Sequence, residues 1–222
     1  GPAAGSEKVD VHAPLALWFS ESLNRDSVTT TSLQLRRVGS TGGVLASLSF
    51  YVSDRCVVLD PTTVLQVDSD YEVIATDDIH DLSGKRLKLS EDGVLATFHT
   101  AFAANGRTPS VVAAFPPAAV ANVPNDHDAI IVFSKGVDYS TALPAIAIEQ
   151  ISNAGVVQGV GAYDPPSSAL HSSRVFLYTR ADGSDGADLN KRMRISVDNT
   201  VEDTEFNPNR MSQLYSSIWN TL

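Results

Sequence analysis

Leu15-Ala16-Leu17-Trp18-Phe19-Ser20 and Ala129-Ile130-Ile131-Val132-Phe133-Ser134 are two versions of one segment, and their pairing decides how the chain is built. Phe19 answers Phe133 and Ser20 answers Ser134 at an offset of 114, a register that Leu23/Val137 and Asn24/Asp138 continue. Further on, Tyr71-Glu72-Val73-Ile74-Ala75 answers Met193-Arg194-Ile195-Ser196-Val197 at an offset of 122, shared by Ile79-x-Asp81 and Val201-x-Asp203. Near the end, Thr97-Phe98-His99-Thr100 answers Ile218-Trp219-Asn220-Thr221 at 121. Landmarks in one order at nearly one offset mark an internal duplication. The second copy carries about eight extra residues, and Asp182-Gly183-Ser184-Asp185-Gly186-Ala187-Asp188, made of turn formers and charge, reads as the insertion.

The boundary follows from the repeat. Ala103-Ala104-Asn105-Gly106-Arg107-Thr108-Pro109 is short, small and polar, with Gly and Pro as breakers. Gly1-Pro2 resembles the scar of a cleaved tag, which implies a longer parent chain. The expected organisation is a tag scar or disordered N-terminus over 1–7, one domain over 8–102, a linker over 103–108 and a second domain over 109–222.

Short segments of period two, or fully apolar, are separated by turn signals, as strands require. They predict strands at 14–19, 32–38, 44–51, 56–59, 70–76 and 94–100, then at 129–133, 145–151, 156–163, 174–179, 192–198 and 216–221. Asp60-Pro61 reads as a strand stop, because proline donates no ladder hydrogen bond. No long apolar helical stripe is present; 138–143 and 209–215 read as single turns at most. Strands without crossover helices pair antiparallel, which at this length means a sandwich or small barrel.

Composition narrows the role. The 222 residues are 43% hydrophobic and 19% charged, with a net charge of −10 and a pI near 4.8. That charge disfavours nucleic acid and anionic lipid, and Arg36-Arg37 and Lys191-Arg192 are isolated basic pairs. No apolar run reaches the roughly 18 residues of a membrane helix, so no membrane insertion is expected. Cys56 is the only cysteine, which excludes an intrachain disulfide and thiolate-rich zinc sites.

Trp18-Phe19-Ser20, Leu59-Asp60-Pro61, Leu65, Tyr71-Glu72-Val73, Ile79-His80-Asp81-Leu82-Ser83-Gly84-Lys85-Arg86-Leu87 and Thr97-Phe98-His99-Thr100 follow in an order that resembles the bacterial Ig-like domain of the S-layer-protein type. In the second copy Phe115-Pro116-Pro117, Asn122-Val123-Pro124 and Ile130 to Ser134 keep the pattern. Asp203-Thr204-Glu205-Phe206-Asn207-Pro208 then replaces the Asp-x-x-Gly turn, and Met193 the tyrosine. The resemblance implies an all-β chain of two tandem immunoglobulin-like antiparallel β-sandwich domains, and it places a turn-forming aspartate at Asp81. Such motifs specify fold, not function.

Each candidate site has a structural reading that outweighs the chemical one. Asp182, Asp185 and Asp188 are oxygen ligands of the kind Ca²⁺ takes, but their spacing matches no EF-hand, so a solvated loop is expected. Asn125-Asp126-His127-Asp128 reads as a turn leading into the next strand. Asp77, Asp78 and Asp81 cluster at a strand end, where an acid/base pair would need a cleft and separated pKa values. The histidines, His12, His80, His99, His127 and His171, lack metal-ligand spacing, and alternation turns His99 toward solvent. Gly39-Ser40-Thr41-Gly42-Gly43 lacks the lysine of a phosphate loop and reads as a hairpin. Cys56 opens an apolar strand, where burial and inertness are expected. Trp18 and Trp219 read as core, Trp219 in the slot of Phe98, and Tyr51, Tyr163 and Tyr178 are the aromatics available to a carbohydrate face.

No catalytic residue, cofactor site or metal ligand is therefore expected. The expected role is a non-catalytic module pair of a secreted or cell-surface bacterial protein, acting as spacer, stalk or adhesion unit. Its expected partners are a protein or surface polymer and the neighbouring domains of the parent. Alternatives are an accessory, polymer- or carbohydrate-binding region of a secreted hydrolase, and a calcium-dependent adhesin segment. Binding would use 181–190, 39–43 or 164–168, with the second copy favoured.

Overall fold

Alternating burial builds the strands of the computed structural model, which describes residues 5–102, 108–124, 127–166, 174–180, 189–204 and 208–222. It divides into two units, Gly1–Asn105 and Gly106–Leu222. The first unit comprises β1 (Ser6–Val9), β2 (Leu15–Trp18), a 3₁₀ turn (Arg25–Ser27), β3 (Leu33–Arg37), β4 (Gly43–Val44), β5 (Ala46–Tyr51), β6 (Cys56–Pro61), β7 (Asp70–Ala75) and β8 (Val94–Thr100). They form sheets of order β1-β8-β7-β3-β4 and β2-β6-β5. Leu33, Leu35, Tyr71, Val73 and Phe98 of one sheet and Leu15, Val57 and Leu59 of the other are buried. Burial of one such side chain stabilises by about 1.5–3 kcal/mol.

The second unit comprises β9 (Val111–Phe115), β10 (Ala129–Phe133), α1 (Tyr139–Ala145), β11 (Ile146–Ile151), β12 (Val157–Val160), β13 (Tyr163–Asp164), β14 (Val175–Arg180), β15 (Arg192–Val197) and β16 (Tyr215–Asn220). Its sheets run β12-β11-β15-β16 and β13-β14-β10-β9. Both units place β3-β7-β8 and β11-β15-β16 in one sheet, and β2-β6 and β10-β14 in the other. The chain is thus two tandem all-β sandwiches.

Register repeats as well as order. Leu33↔Ala75, Leu35↔Val73 and Arg37↔Tyr71 become Ile146↔Val197, Ile148↔Ile195 and Gln150↔Met193. On the outer face Arg36 Nε meets Glu72 Oε1 at 2.9 Å, and the second copy reverses the charges, with Arg194 Nη2 to Glu149 Oε2 at 2.6 Å. At the core, Tyr71 stacks on Phe98 with centroids 5.7 Å apart, and its hydroxyl accepts the Gln66 N–H at 2.9 Å. This ties the corner before β7 to the strand that follows it. Met193 and Trp219 hold the same two positions in the second copy, opposite one another.

Several expectations change. Ser6–Val9 is a strand paired parallel to β8 (Ser6↔Phe98, Val9↔Thr100), so residues 6 and 7 are not disordered; residues 1–4 lie outside the described residues. Strand β9 went unpredicted. The single turn expected over 138–143 is a seven-residue helix, capped by Asp138 accepting the N–H groups of Ser140 and Thr141, with Ala142 and Ala145 buried. Its counterpart is the 3₁₀ turn capped by Asn24. The strands expected at 44–51 and 156–163 each split, because the chain crosses to the facing sheet at Leu45 and at Gly161-Ala162. A Cβ at Gly161 would lie 2.9 Å from the Tyr163 ring, so the crossing needs glycine. Strand β6 also continues through Pro61 instead of stopping before it, paired with Ala46. Thr62 N–H bonds Leu45 O, so the pleat turns Pro61's nitrogen to the side where β2 has already ended at Leu15↔Leu59.

Candidate functional site

The carboxylates build turns. Asp81 Oδ1 accepts the Ser83 hydroxyl at 2.7 Å, the Ser83 N–H at 2.8 Å and the Lys85 N–H at 2.9 Å. Led by the Ser83 hydroxyl, these donors hold its carboxyl well below the usual carboxylate range. A general acid needs the opposite shift. Asp77 is instead paired with Arg86 (2.6 Å), and Asp78 accepts the Thr76 hydroxyl (3.1 Å), so the three acids do not act on one another. Asp203 occupies the equivalent place: Leu23 bridges Asp81 as Val137 bridges Asp203. Its Oδ1 accepts the Asn209 N–H at 3.0 Å, its Oδ2 lies 2.8 Å from Lys135 Nζ, and its side chain is fully buried. The turn is rebuilt around the same aspartate, and Lys135 stands where the first copy has Glu21, which pairs with Lys85 at 3.3 Å.

The histidines are dispersed. His12 lies beside Asp10, His80 Nδ1 donates to the Asp78 carbonyl at 2.8 Å, and His171 is outside the described residues. His127 lies just before β10, where a turn leading into that strand was expected. It is buried, with Phe115 and Trp219 ring centroids 5.5 and 6.0 Å away. His99 does face outward, its Nδ1 2.8 Å from Asp70 and its Nε2 3.1 Å from Asp68. Hydrogen bonds to Asp70 and then Asp68 raise its pKa. The two carboxylates approach opposite ring nitrogens, and among the described residues no three such groups converge to hold a metal ion.

The remaining candidates sit as follows. Cys56 is fully buried, and burial pushes its thiol up to about 12. Trp219 and Tyr178 are buried, while Trp18, Tyr51 and Tyr163 are half-buried, so these rings present no shared aromatic face. The 39–43 segment connects β3 to β4 as a hairpin, with Gly39 at φ +80. Asn125, Asp126, Asp182, Asp185 and Asp188 lie outside the described residues, as do 167 and 168.

One corner of each copy shares a backbone and differs in chemistry. Thr100 Oγ1 accepts the Ser69 N–H at 3.0 Å, and Thr221 Oγ1 accepts the Lys191 N–H at 2.8 Å. Asp68 and Asn190 both take a positive φ, 49° and 53°. Around these fixed points Asp68, Asp70 and His99 of the first copy become Asn190, Arg192 and Asn220. Sequence reading missed this corner, although Lys191-Arg192 beside Asn190 was its visible signal.

The bacterial Ig-like domain family matches residues 1–100. No curated protein matches the chain. Among solved structures the chain is similar to the S-layer protein SbsC, at 11% identity over 100% of this chain and 26% of that one, with a TM-score of 0.39. The N-terminal part of SbsC gives 11% identity over 98% of this chain and 44% of that one, with a TM-score of 0.37. An L,D-transpeptidase from Mycobacterium tuberculosis gives 14% identity over 82% and 74%, with a TM-score of 0.30. The chain spans about a quarter of the longer S-layer structure. Residues 1–100, with their sandwich and turn-forming Asp81, belong to the bacterial Ig-like domain family.

Proposed function

We propose that the chain is a non-catalytic pair of Ig-like spacer modules from a secreted or cell-surface bacterial protein. The observation that carries this is how each unit is closed. In the first unit the opening strand β1 and the final strand β8 run parallel and hydrogen-bonded. In the second, Val123 bridges Thr221 in parallel, and Ala119 N–H and Val123 N–H bond the carbonyls of Ile218 and Asn220. Tension leaves each unit through its last strand, and that strand is joined in parallel to β1 in the first unit and to the 119–123 segment that follows β9 in the second. Between parallel neighbours it acts along the strands, so the hydrogen bonds must shear together instead of opening one at a time. Placement of that join twice in one chain suits a segment that holds distance under load. The turn chemistry of Asp81 and Asp203 supports the same reading, because it commits ionised groups to loop geometry.

Single-molecule extension between handles at the two ends tests it. Two rupture events are expected, each releasing roughly 350 Å of chain for a unit of about 100 residues. Extension without resolved ruptures would overturn the spacer reading.

A further inference from the structure

In a chain with 26 Asp and Glu residues and a net charge of −10, one cleft has no carboxylate among its described lining residues. It lies on the second unit where the ends of β11, β15 and β16 meet the loops beside them, and encloses about 560 Å³. Gln150, Asn153, Gln158, Asn190 and Asn220 line it, five of the fifteen carboxamide residues in the sequence. Lys191 and Arg192 lie among them. The five amide side chains make no hydrogen bond to another described residue, and neither cation has a carboxylate partner among the described residues. Arg192 Nη1 is held by the Asn153 carbonyl at 3.1 Å, which fixes the guanidinium at the cleft edge.

The fold does not require this chemistry. The first copy keeps the same corner, with its threonine and its positive φ, using Asp68, Asp70 and His99. A carboxamide offers a donor and an acceptor side by side, which matches neighbouring hydroxyls, whereas Lys and Arg match carboxylate or phosphate. Among the described lining residues the only apolar side chain, Ile151, is itself buried, and none is aromatic, so these residues lack the anchors of a protein interface. We propose that this cleft binds an anionic saccharide polymer, its hydroxyls on the carboxamides and its carboxylate or phosphate groups on Lys191 and Arg192. The site is independent of the spacer reading, since a chain lacking it would resist extension equally.

Calorimetric titration of the full chain at low salt tests this with polygalacturonate, a phosphomannan, neutral dextran and polyglutamate. Saturable binding of polygalacturonate or the phosphomannan is expected, with little for dextran or polyglutamate, and the stronger of the two distinguishes carboxylate from phosphate. Lys191→Gln with Arg192→Gln should weaken binding about tenfold or more, since charge-assisted hydrogen bonds are lost. Asn190→Asp with Asn220→Asp, which carries the first copy's acidity into the cleft, should weaken it at least as much. Circular dichroism confirms that both variants stay folded. Absence of binding to either acidic polymer, equal binding by the folded variants, or polyglutamate bound as well as the saccharides would each overturn the proposal; the last would indicate an acidic protein partner.

Discussion

At the residue scale, this chain uses ionisable groups to fasten loops, and His99 shows it most measurably. Its imidazole sits between Asp70 at 2.8 Å and Asp68 at 3.1 Å, both largely exposed, and its pKa is raised. A raised value means that the imidazolium is favoured in the folded state. The associated stability is fully present below the ordinary value of about 6.5 and is lost as pH rises through the raised one. An NMR titration of the full chain should place the His99 midpoint above about 6.5, and Asp70→Asn should bring it down. A midpoint at or below 6.5 would show that the two carboxylates do not act on the ring. Alternation alone turned His99 outward, but nothing in the sequence brought Asp68 to it, because that contact depends on where β8 pairs with the start of β7. The burial of His127 is hidden for the same kind of reason: Asn125, Asp126 and Asp128 flank it in sequence, and only packing against Phe115 and Trp219 reveals it.

At the scale of elements, two copies have kept a contact while exchanging its signs. Arg36–Glu72 and Glu149–Arg194 occupy one register position on the outer face, joining β3 to β7 and β11 to β15. Arg36→Glu should destabilise the first unit by leaving two like charges opposed, and Glu72→Arg in the same chain should recover most of the loss. The cross-strand coupling should be about 0.2–1 kcal/mol, since the pair is partly exposed. A double-mutant cycle by chemical denaturation measures it; no recovery in the doubly exchanged chain would mean that β3 and β7 cannot accept the second copy's arrangement. Most strands were legible because period-two burial is a local signal. The sheet crossing at Leu45 was not, because the apolar alternation Val44, Ala46, Leu48, Phe50 runs through it. At Gly161-Ala162 the local signal was Gly161 itself, which reads equally as a residue within one strand. Strand β1 was missed because it is short and gains its place by pairing with β8, distant in sequence, while β9, paired with the next strand β10, lacks period-two alternation in Val111-Val112-Ala113-Ala114-Phe115. The cleft at Lys191-Arg192 was hidden likewise: its amides come from four separate segments that only the folded sheet assembles.

At the scale of the whole molecule, duplication supplies each unit with its own core, so damage should stay where it is made. The core cluster around Phe133, Phe176, Ile195 and Trp219 draws only on residues of the second unit. Asp203 belongs to that unit, fully buried beside Lys135 at 2.8 Å. Loss of one member of a buried ion pair strands the other charge away from water, which typically destabilises by about 3–5 kcal/mol. Asp203→Ala should therefore lower the stability of the second unit by about that amount and leave the first unit's transition in place. Lys135→Met with Asp203→Leu should be milder, since it removes both charges and leaves neither unpaired. Differential scanning calorimetry reads the outcome as one transition moving to lower temperature while the other stays. A shift of both transitions together would show that the units unfold as one body, and the two sandwiches would then share their stability as well as their design.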